Sequence, residues 1–346
     1  MCPRFESGIY HFNLKRPLRK LGPFCLPMQH FSQNVLSCKQ TYSPMNDFSR
    51  RNLLKAAALV PFSTSAMSNA KAAPRVTKSE LSLNMSTIMG QKLGFIRELE
   101  VCAQAGFRSC EIWMPTLEAY LKSGGSISEA RKRLSDLGLR IQNAIGFAQW
   151  IVDDNTVRTA GVEQLKREMD LLTQLGCTRT AAPPMGATKE PGLDLRRAAE
   201  RYRVILELGV TMGVTPQLEM WGHSKNLNRV ADVLFVAAEA GHPSARLLLD
   251  VFHIYKGGSS VDCLHTVGQD AVEIFHVNDY MTSLVPDQIT DADRIYVGDG
   301  EAPIKKILDL LKPEVISLEL FNKELYKQDA LLVARNGYQK MKALIA

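Results

Sequence analysis

The chain has 346 residues, 45% of them hydrophobic, enough for one large single-core domain of α/β-barrel size, so a second domain is not required. A net charge of +6 would suit a nucleic-acid partner, but residues 1–72 hold ten basic residues against two acids, a net of +8 that leaves about −2 for everything after them. A near-neutral body excludes the basic stripe that a phosphate backbone needs, and the pI of 8.9 is a property of the front segment.

That front segment reads as an export signal. Ser49-Arg50-Arg51-Asn52-Leu53-Leu54-Lys55 precedes a mildly apolar run at 56–62, and small residues follow, including Ala70-Lys71-Ala72. The order resembles a twin-arginine signal over residues 45–72 with an Ala-x-Ala cleavage site, which implies a periplasmic protein. Residues 1–44 lie upstream of Met45 and fit a leader ahead of the biological start. The apolar run is too short for a bilayer, which takes ~20 residues, so no membrane insertion is expected after cleavage. Three of the seven cysteines (Cys2, Cys25, Cys38) fall in this part; Cys102, Cys110, Cys177 and Cys263 remain, with no CxxC pair, so buried free thiols are expected.

From residue 78 strand and helix patterns alternate. The predicted pairs are strand 81–84 with helix 93–105, 109–113 with 126–137, 140–145 with 161–175, 178–183 with 193–212, 215–220 with 227–240, 246–250 with 260–268, 272–277 with 303–311, and 315–320 with 324–344. Glycines at 106, 138, 176, 213 and 241 mark helix ends. Eight alternations favour a single-domain (β/α)8 TIM barrel of the α/β class over residues 78–346, in preference to an open doubly wound sheet. No GxGxxG follows the first strand, which argues against nicotinamide binding. The longest irregular stretch, 278–300, falls at the barrel mouth, where long loops usually serve function.

Four of the apolar runs end in a metal-type ligand: Glu219 in TPQLEM, Asp250 in ARLLLD, His276 in AVEIFH and Glu319 in VISLEL. The C-terminal ends of parallel barrel strands open on the active-site face, so three carboxylates and an imidazole should converge there. That donor set suits one divalent cation such as Mn, Co, Zn, Fe or Mg, with manganese the first choice, better than a thiolate-selecting metal. Each acid taken alone could equally cap the helix that follows it.

Glu219, Asp250-Val251-Phe252-His253, His276 and Glu319 on strands five to eight resemble the metal site of the xylose isomerase-like sugar isomerase and epimerase superfamily. Leu83-Asn84, Glu111-Ile112-Trp113 and Val297-Gly298-Asp299-Gly300-Glu301 add to the likeness, which spans about residues 80–345. Ketose 3-epimerases, inosose dehydratases and, more distantly, endonuclease IV share this site. The resemblance implies that Glu219, Asp250, His276 and Glu319 hold the metal and that Glu219 and Glu319 move a proton beside a metal-bound carbonyl, through an enediolate. It implies that His253 hydrogen-bonds a substrate oxygen, although the matching histidine of endonuclease-type relatives binds metal.

Glu111 and Trp113 contact the sugar or serve packing between strands, and Trp150 and Trp221 are open between core and sugar-stacking roles. Asp279 either orients the His276 imidazole or is a solvated loop acid. The epimerases carry an arginine six residues after the metal histidine, where this chain has Thr282; Arg294 either replaces it or is a surface residue.

The expected function is therefore a metal-dependent isomerase or epimerase acting on a small sugar or sugar derivative, with no nucleic-acid partner. The alternatives are a metal-dependent lyase or dehydratase of keto-sugars or keto-glycosides, an exported sugar-binding protein without turnover, and an endonuclease IV-like nuclease. The last lacks further histidines in strands two and three, which offer Trp113 and residues 143–146 instead. Nothing in the sequence bears on oligomeric state.

Overall fold

Continuous Leu, Ile and Val runs dictate strands packed on both faces, and three of them, Leu247–Asp250, Ile274–Val277 and Val315–Leu318, are buried at every position. The computed structural model describes residues 79–346; the leader and the signal expected at 45–72 lie outside the described residues. The strands are β1 (Glu80–Asn84), β2 (Ser109–Trp113), β3 (Arg140–Ile145), β4 (Arg179–Ala182), β5 (Thr215–Glu219), β6 (Leu247–Asp250), β7 (Ile274–Val277) and β8 (Val315–Leu318). All pairings between them are parallel, in the order β3-β2-β1-β8-β7-β6-β5-β4. The ladder is a TIM barrel, nearly closed where β3 meets β4; there Thr180 Oγ1 donates to the Ala144 carbonyl at 3.3 Å.

Around it run α1 (Phe95–Ala105), α2 (Met114–Lys122), α3 (Ile127–Leu137), α4 (Asn155–Gln174), α5 (Leu195–Met212), α6 (Val230–Ala240), α7 (Val251–Lys256), α8 (Ile304–Leu311) and α9 (Ala330–Leu344). The core is in two parts. A small inner cluster (Ile145, Ala181, Leu248, Ile274, Val315) fills the barrel, and a much larger one packs strands against helices. Each fully buried Leu, Ile or Val contributes about 1.5–3 kcal/mol, so this outer layer dominates stability.

Several elements differ from their sequence pattern. Helix α4 begins six residues before the expected 161 because Asp154 caps it, accepting from the Val157 amide at 2.9 Å. Gly161 therefore lies inside the helix, where a Cβ would meet the Gln149 backbone at 2.6 Å, so only glycine permits this approach. The stretch expected as helix 260–268 is a 3-10 turn, Val261–Thr266. The last helix is divided: a 3-10 turn at Leu325–Lys327 precedes α9, whose start is fixed by Asp329 accepting from Leu332 N. Helix α2 is unforeseen; it follows β2 without a loop and carries Pro115 in its first turn, where a missing N–H costs nothing. Gly241 ends α6 at φ 58°, as the glycine stops suggested.

Cys102, Cys110 and Cys177 are buried and Cys263 half-buried, all as free thiols. No helix among the described residues is long and apolar enough to cross a membrane.

Candidate active site and metal centre

Strand register brings the candidate ligands together. Asp250 and His276 are direct partners across β6 and β7, and Glu319 follows the last residue of β8, so all three emerge at the C-terminal mouth. Their ligand atoms lie within 4.8 Å of one another, and all three residues are buried. Asp250 also caps α7, its Oδ1 accepting from the His253 amide at 2.9 Å. Asp250 thus caps a helix and also stands in a group that could hold a metal ion.

His276 is held from both sides. Its Nε2 is 3.0 Å from Glu111 Oε1 and 3.1 Å from Glu111 Oε2, while Nδ1 is 3.2 Å from Glu319 Oε2 without the alignment of a hydrogen bond. Burial works against the imidazolium, but the attraction of Glu111 and Glu319 outweighs it and pushes the histidine well above its usual value. The spacing of Nδ1 and Oε2 is that of two donors to one small cation, which stand about 3 Å apart when each bond is near 2.1 Å. With the opposite nitrogen pinned by a carboxylate, this is the way a ligand histidine is oriented. The donors present, two carboxylates and an imidazole, fit a divalent cation.

Glu219, expected as a fourth ligand, stands outside this group. β5 pairs with β6 at Glu219↔Leu248, two residues short of Asp250. Burial, and then the like charge of Glu319, raise it to about 8, and its Oε2 has no hydrogen-bond partner among the described residues.

Arg294 is not a surface residue: it is 1% exposed. The long mouth loop delivers it between Asp250 Oδ2 (2.9 Å) and Glu319 Oε2 (2.8 Å), and it also pairs with Asp291 at 2.6 Å. Phe252 and Phe321 flank its guanidinium at 4.4 and 5.0 Å. Thr282 lies elsewhere, exposed and bonded to Glu301. His253 Nε2 faces Arg294 Nη2 at 3.3 Å. An arginine nitrogen only donates, so Nε2 accepts and the ring proton sits on Nδ1, which has no partner among the described residues. Burial first, and the Arg294 charge second, hold His253 well below its usual value, so the ring is neutral.

The remaining candidates separate cleanly. Glu111, expected beside substrate, is fully buried between His276 and Asn143, whose Nδ2 donates to it at 2.7 Å; it takes the orienting position considered for Asp279. Asp279 instead fastens the mouth loop, accepting from the amides of Tyr280, Gly298 and Ala302 at 2.9 Å each. Trp113 and Trp221 line a cavity of about 150 Å³ together with Phe147 and Phe321, and Glu219 and Glu319 open into it. Trp150 belongs to the core, its indole donating to the Pro183 carbonyl at 2.9 Å.

Two participants, His223 and Asn278, had not been singled out in the sequence, and a third, Asn84, stood there only within Leu83-Asn84, without a role. His223 lines the cavity with its ring 5.2 Å from that of Trp221 and 5.6 Å from that of His253; its place four residues after Glu219 was the available signal. Asn278 donates to Asp250 Oδ2 at 3.0 Å, and Asn84 donates to Glu319 Oε1 at 2.9 Å. Neither asparagine carries a local signal of its partner.

A family model described as xylose isomerase-like TIM barrel matches residues 99–343. Inosose isomerase of Bacillus velezensis is 25% identical over 260 residues, covering 72% of this chain and 91% of its own length. A solved structure of IolI protein with a bound zinc atom superposes at a TM-score of 0.70 with 22% identity, over 77% of this chain and 98% of that one. L-ribulose 3-epimerase follows at 0.61 with 19% identity, over 77% and 94%, and both likenesses show the shared fold. Since the match runs from the first outer helix into the last, the chain belongs to the xylose isomerase-like TIM barrel family.

Proposed function

We propose that this protein is a metal-dependent isomerase of neutral keto-sugars or keto-cyclitols, working by proton transfer beside a carbonyl. The observation that carries the reading is the buried group Asp250, His276 and Glu319, with Glu219, whose Oε2 has no hydrogen-bond partner among the described residues, opening into the same aromatic-walled cavity. A divalent cation held by those three residues would draw charge from the substrate carbonyl and acidify the adjacent C–H.

The chain's own groups supply the rest. Glu219 takes the proton, and burial that raises its proton affinity makes it a better base than a solvated carboxylate. Trp113, Phe147, Trp221 and Phe321 provide faces for the C–H side of a sugar ring and keep water from the developing charge. His253 Nδ1–H is a free donor for a substrate oxygen.

The lining also favours a substrate without phosphate. Its cation, Arg294, is already engaged by Asp250, Asp291 and Glu319, while Glu219 and Glu319 contribute negative charge. The relatives named inosose isomerase support a keto-cyclitol as the first compound to try. Export by the twin-arginine route is part of the proposal and rests on Arg50-Arg51 and the segment after them.

The test is metal analysis of the purified protein, followed by incubation of the Mn²⁺-loaded protein with keto-cyclitols and keto-sugars in heavy water. Solvent deuterium entering a carbon beside the carbonyl, with a new isomer formed, is expected. Binding without exchange would favour a non-catalytic sugar-binding protein, and an unsaturated product would favour a lyase.

A further inference from the structure

Two buried thiols and a buried carboxyl outside the barrel mouth take no part in the chemistry above. Cys102 lies on α1 and Cys110 on β2, and both are 0% exposed. Side chains alternate along a strand. Glu111 turns into the barrel to meet His276, so Cys110, one residue earlier, faces the helix layer where Cys102 packs. The chain passes from α1 to β2 in a tight turn: Gly106 takes φ 112°, and the Phe107 amide donates to the Cys102 carbonyl at 3.3 Å. That turn lays Cys102 Sγ 3.6 Å from the carbonyl of Ser109, the residue before Cys110, and the two thiols hydrogen-bond to each other. Cys177 is engaged differently, its thiol donating to the Arg179 carbonyl at 3.2 Å.

Glu98 stands one turn before Cys102 on the same buried face of α1, close enough for its charge to act on Cys110. Burial pushes its carboxyl up to about 7, so near neutral pH it both takes and releases a proton. A thiol attacks only as the thiolate, and a pair shut away from water needs a base of its own.

We propose that Cys102 and Cys110 are a redox pair, which a small-molecule disulfide converts to an internal disulfide between α1 and β2, with Glu98 as the proton acceptor. The pair is independent of the metal and of the sugar chemistry. When α1 lifts from β2, Glu98 takes the Cys102 proton and the thiolate attacks one sulfur of the small disulfide, RSSR. Its S–S bond breaks, and RS⁻ leaves with the electron pair and collects the proton from Glu98. Cys110, deprotonated in turn by Glu98, attacks Cys102 Sγ; the internal S–S bond forms and a second RS⁻ leaves, taking that proton. Two protein thiols are oxidised and one disulfide is reduced to two RSH. The bridge fastens β2 to α1 one residue before Glu111, which holds the His276 ring. Export as proposed above would carry the pair to an oxidising compartment, where disulfides persist.

The experiment uses the full protein, purified reduced, incubated with oxidised glutathione under native conditions, then alkylated in denaturant and cut with trypsin. Arg97, Arg108 and Lys122 put the two cysteines on separate peptides, 98–108 and 109–122. Mass spectrometry should find those peptides joined by a disulfide, with Cys177 and Cys263 alkylated. Alkylation of both Cys102 and Cys110, or a lasting glutathione adduct on either, overturns the pairing.

A second arm uses Glu98→Gln, which keeps the shape of the protonated acid. The joined peptides should form about tenfold or more slowly, because a general base is lost. An unchanged rate in the folded Glu98→Gln variant overturns the proton-acceptor role.

Discussion

The two ends of the barrel solve opposite problems with the same residue types. At the N-terminal end charged groups at the strand starts find opposite charges: Arg179 Nε meets Glu273 Oε2 at 2.5 Å, Arg246 Nε meets Glu273 Oε1 at 2.8 Å, and Arg140 Nη2 meets Glu80 Oε2 at 2.8 Å. Arg179 reaches Glu314 and Gln142 as well, linking β3, β4, β7 and β8 where the ladder is weakest. At the C-terminal end carboxylates outnumber cations, and buried polar atoms stand without partners at Glu219, His253 and Asn278. Satisfied polar groups at one end hold the barrel shut, and unsatisfied ones at the other wait for a ligand. A barrel can afford the second because it has the first.

Substitutions at each end should therefore differ in kind. At the mouth, Glu219→Gln is expected to cut turnover by about 10² or more, the usual contribution of a general base, with the thermal midpoint within a few degrees of wild type. Steady-state kinetics and thermal denaturation check this, and a wild-type rate would remove Glu219 from the chemistry. The largest stability effect at the same end depends on the cation. Mn²⁺ at one hundred times its dissociation constant should stabilise the wild type by about 2.7 kcal/mol and leave His276→Gln unmoved, as read by thermal shift with metal content.

A third case is Glu168 on α4, buried, with Oε2 unpartnered among the described residues and its pKa raised by burial to about 7. Because the folded value lies above the 4.5 of a free carboxyl, the native state holds this proton more tightly than the unfolded chain. Stabilisation is complete below pH 4.5 and is lost as pH rises through 7. Glu168→Gln should accordingly gain up to about 3 kcal/mol at pH 8 and nothing at pH 4, measured by denaturant titration at both values. At the closed end, Arg179→Met should cost about 1–2 kcal/mol, since the pair is only partly buried, and leave kcat unchanged. A drop in kcat with unchanged stability would erase the contrast between the ends.

Much of this architecture was legible. β2 and β3 begin and end where the pattern of their side chains placed them, and the other strands shift by no more than two residues at either end. Apolar runs and glycine stops are local signals, and the parallel barrel leaves them undisturbed. Asp250, His276 and Glu319 stood at visible strand ends for the same reason. Arg294 was ambiguous because its burial depends on where an irregular loop travels, and Glu111 was left open between substrate and strand packing because its partner lies 165 residues away.

Sequence by itself determined that eight apolar strands alternate with helices and that acids and a histidine sit at the ends of the last four, since burial pattern and chain order are written locally. Only tertiary structure decided which partners each of those acids meets. Closing the barrel sets Asn84 against Glu319, 235 residues apart, and brings Glu219 and Glu319 to the lining of one cavity. Hydrogen bonds are short and directional, so their pairing is known once the backbone has closed, and not before.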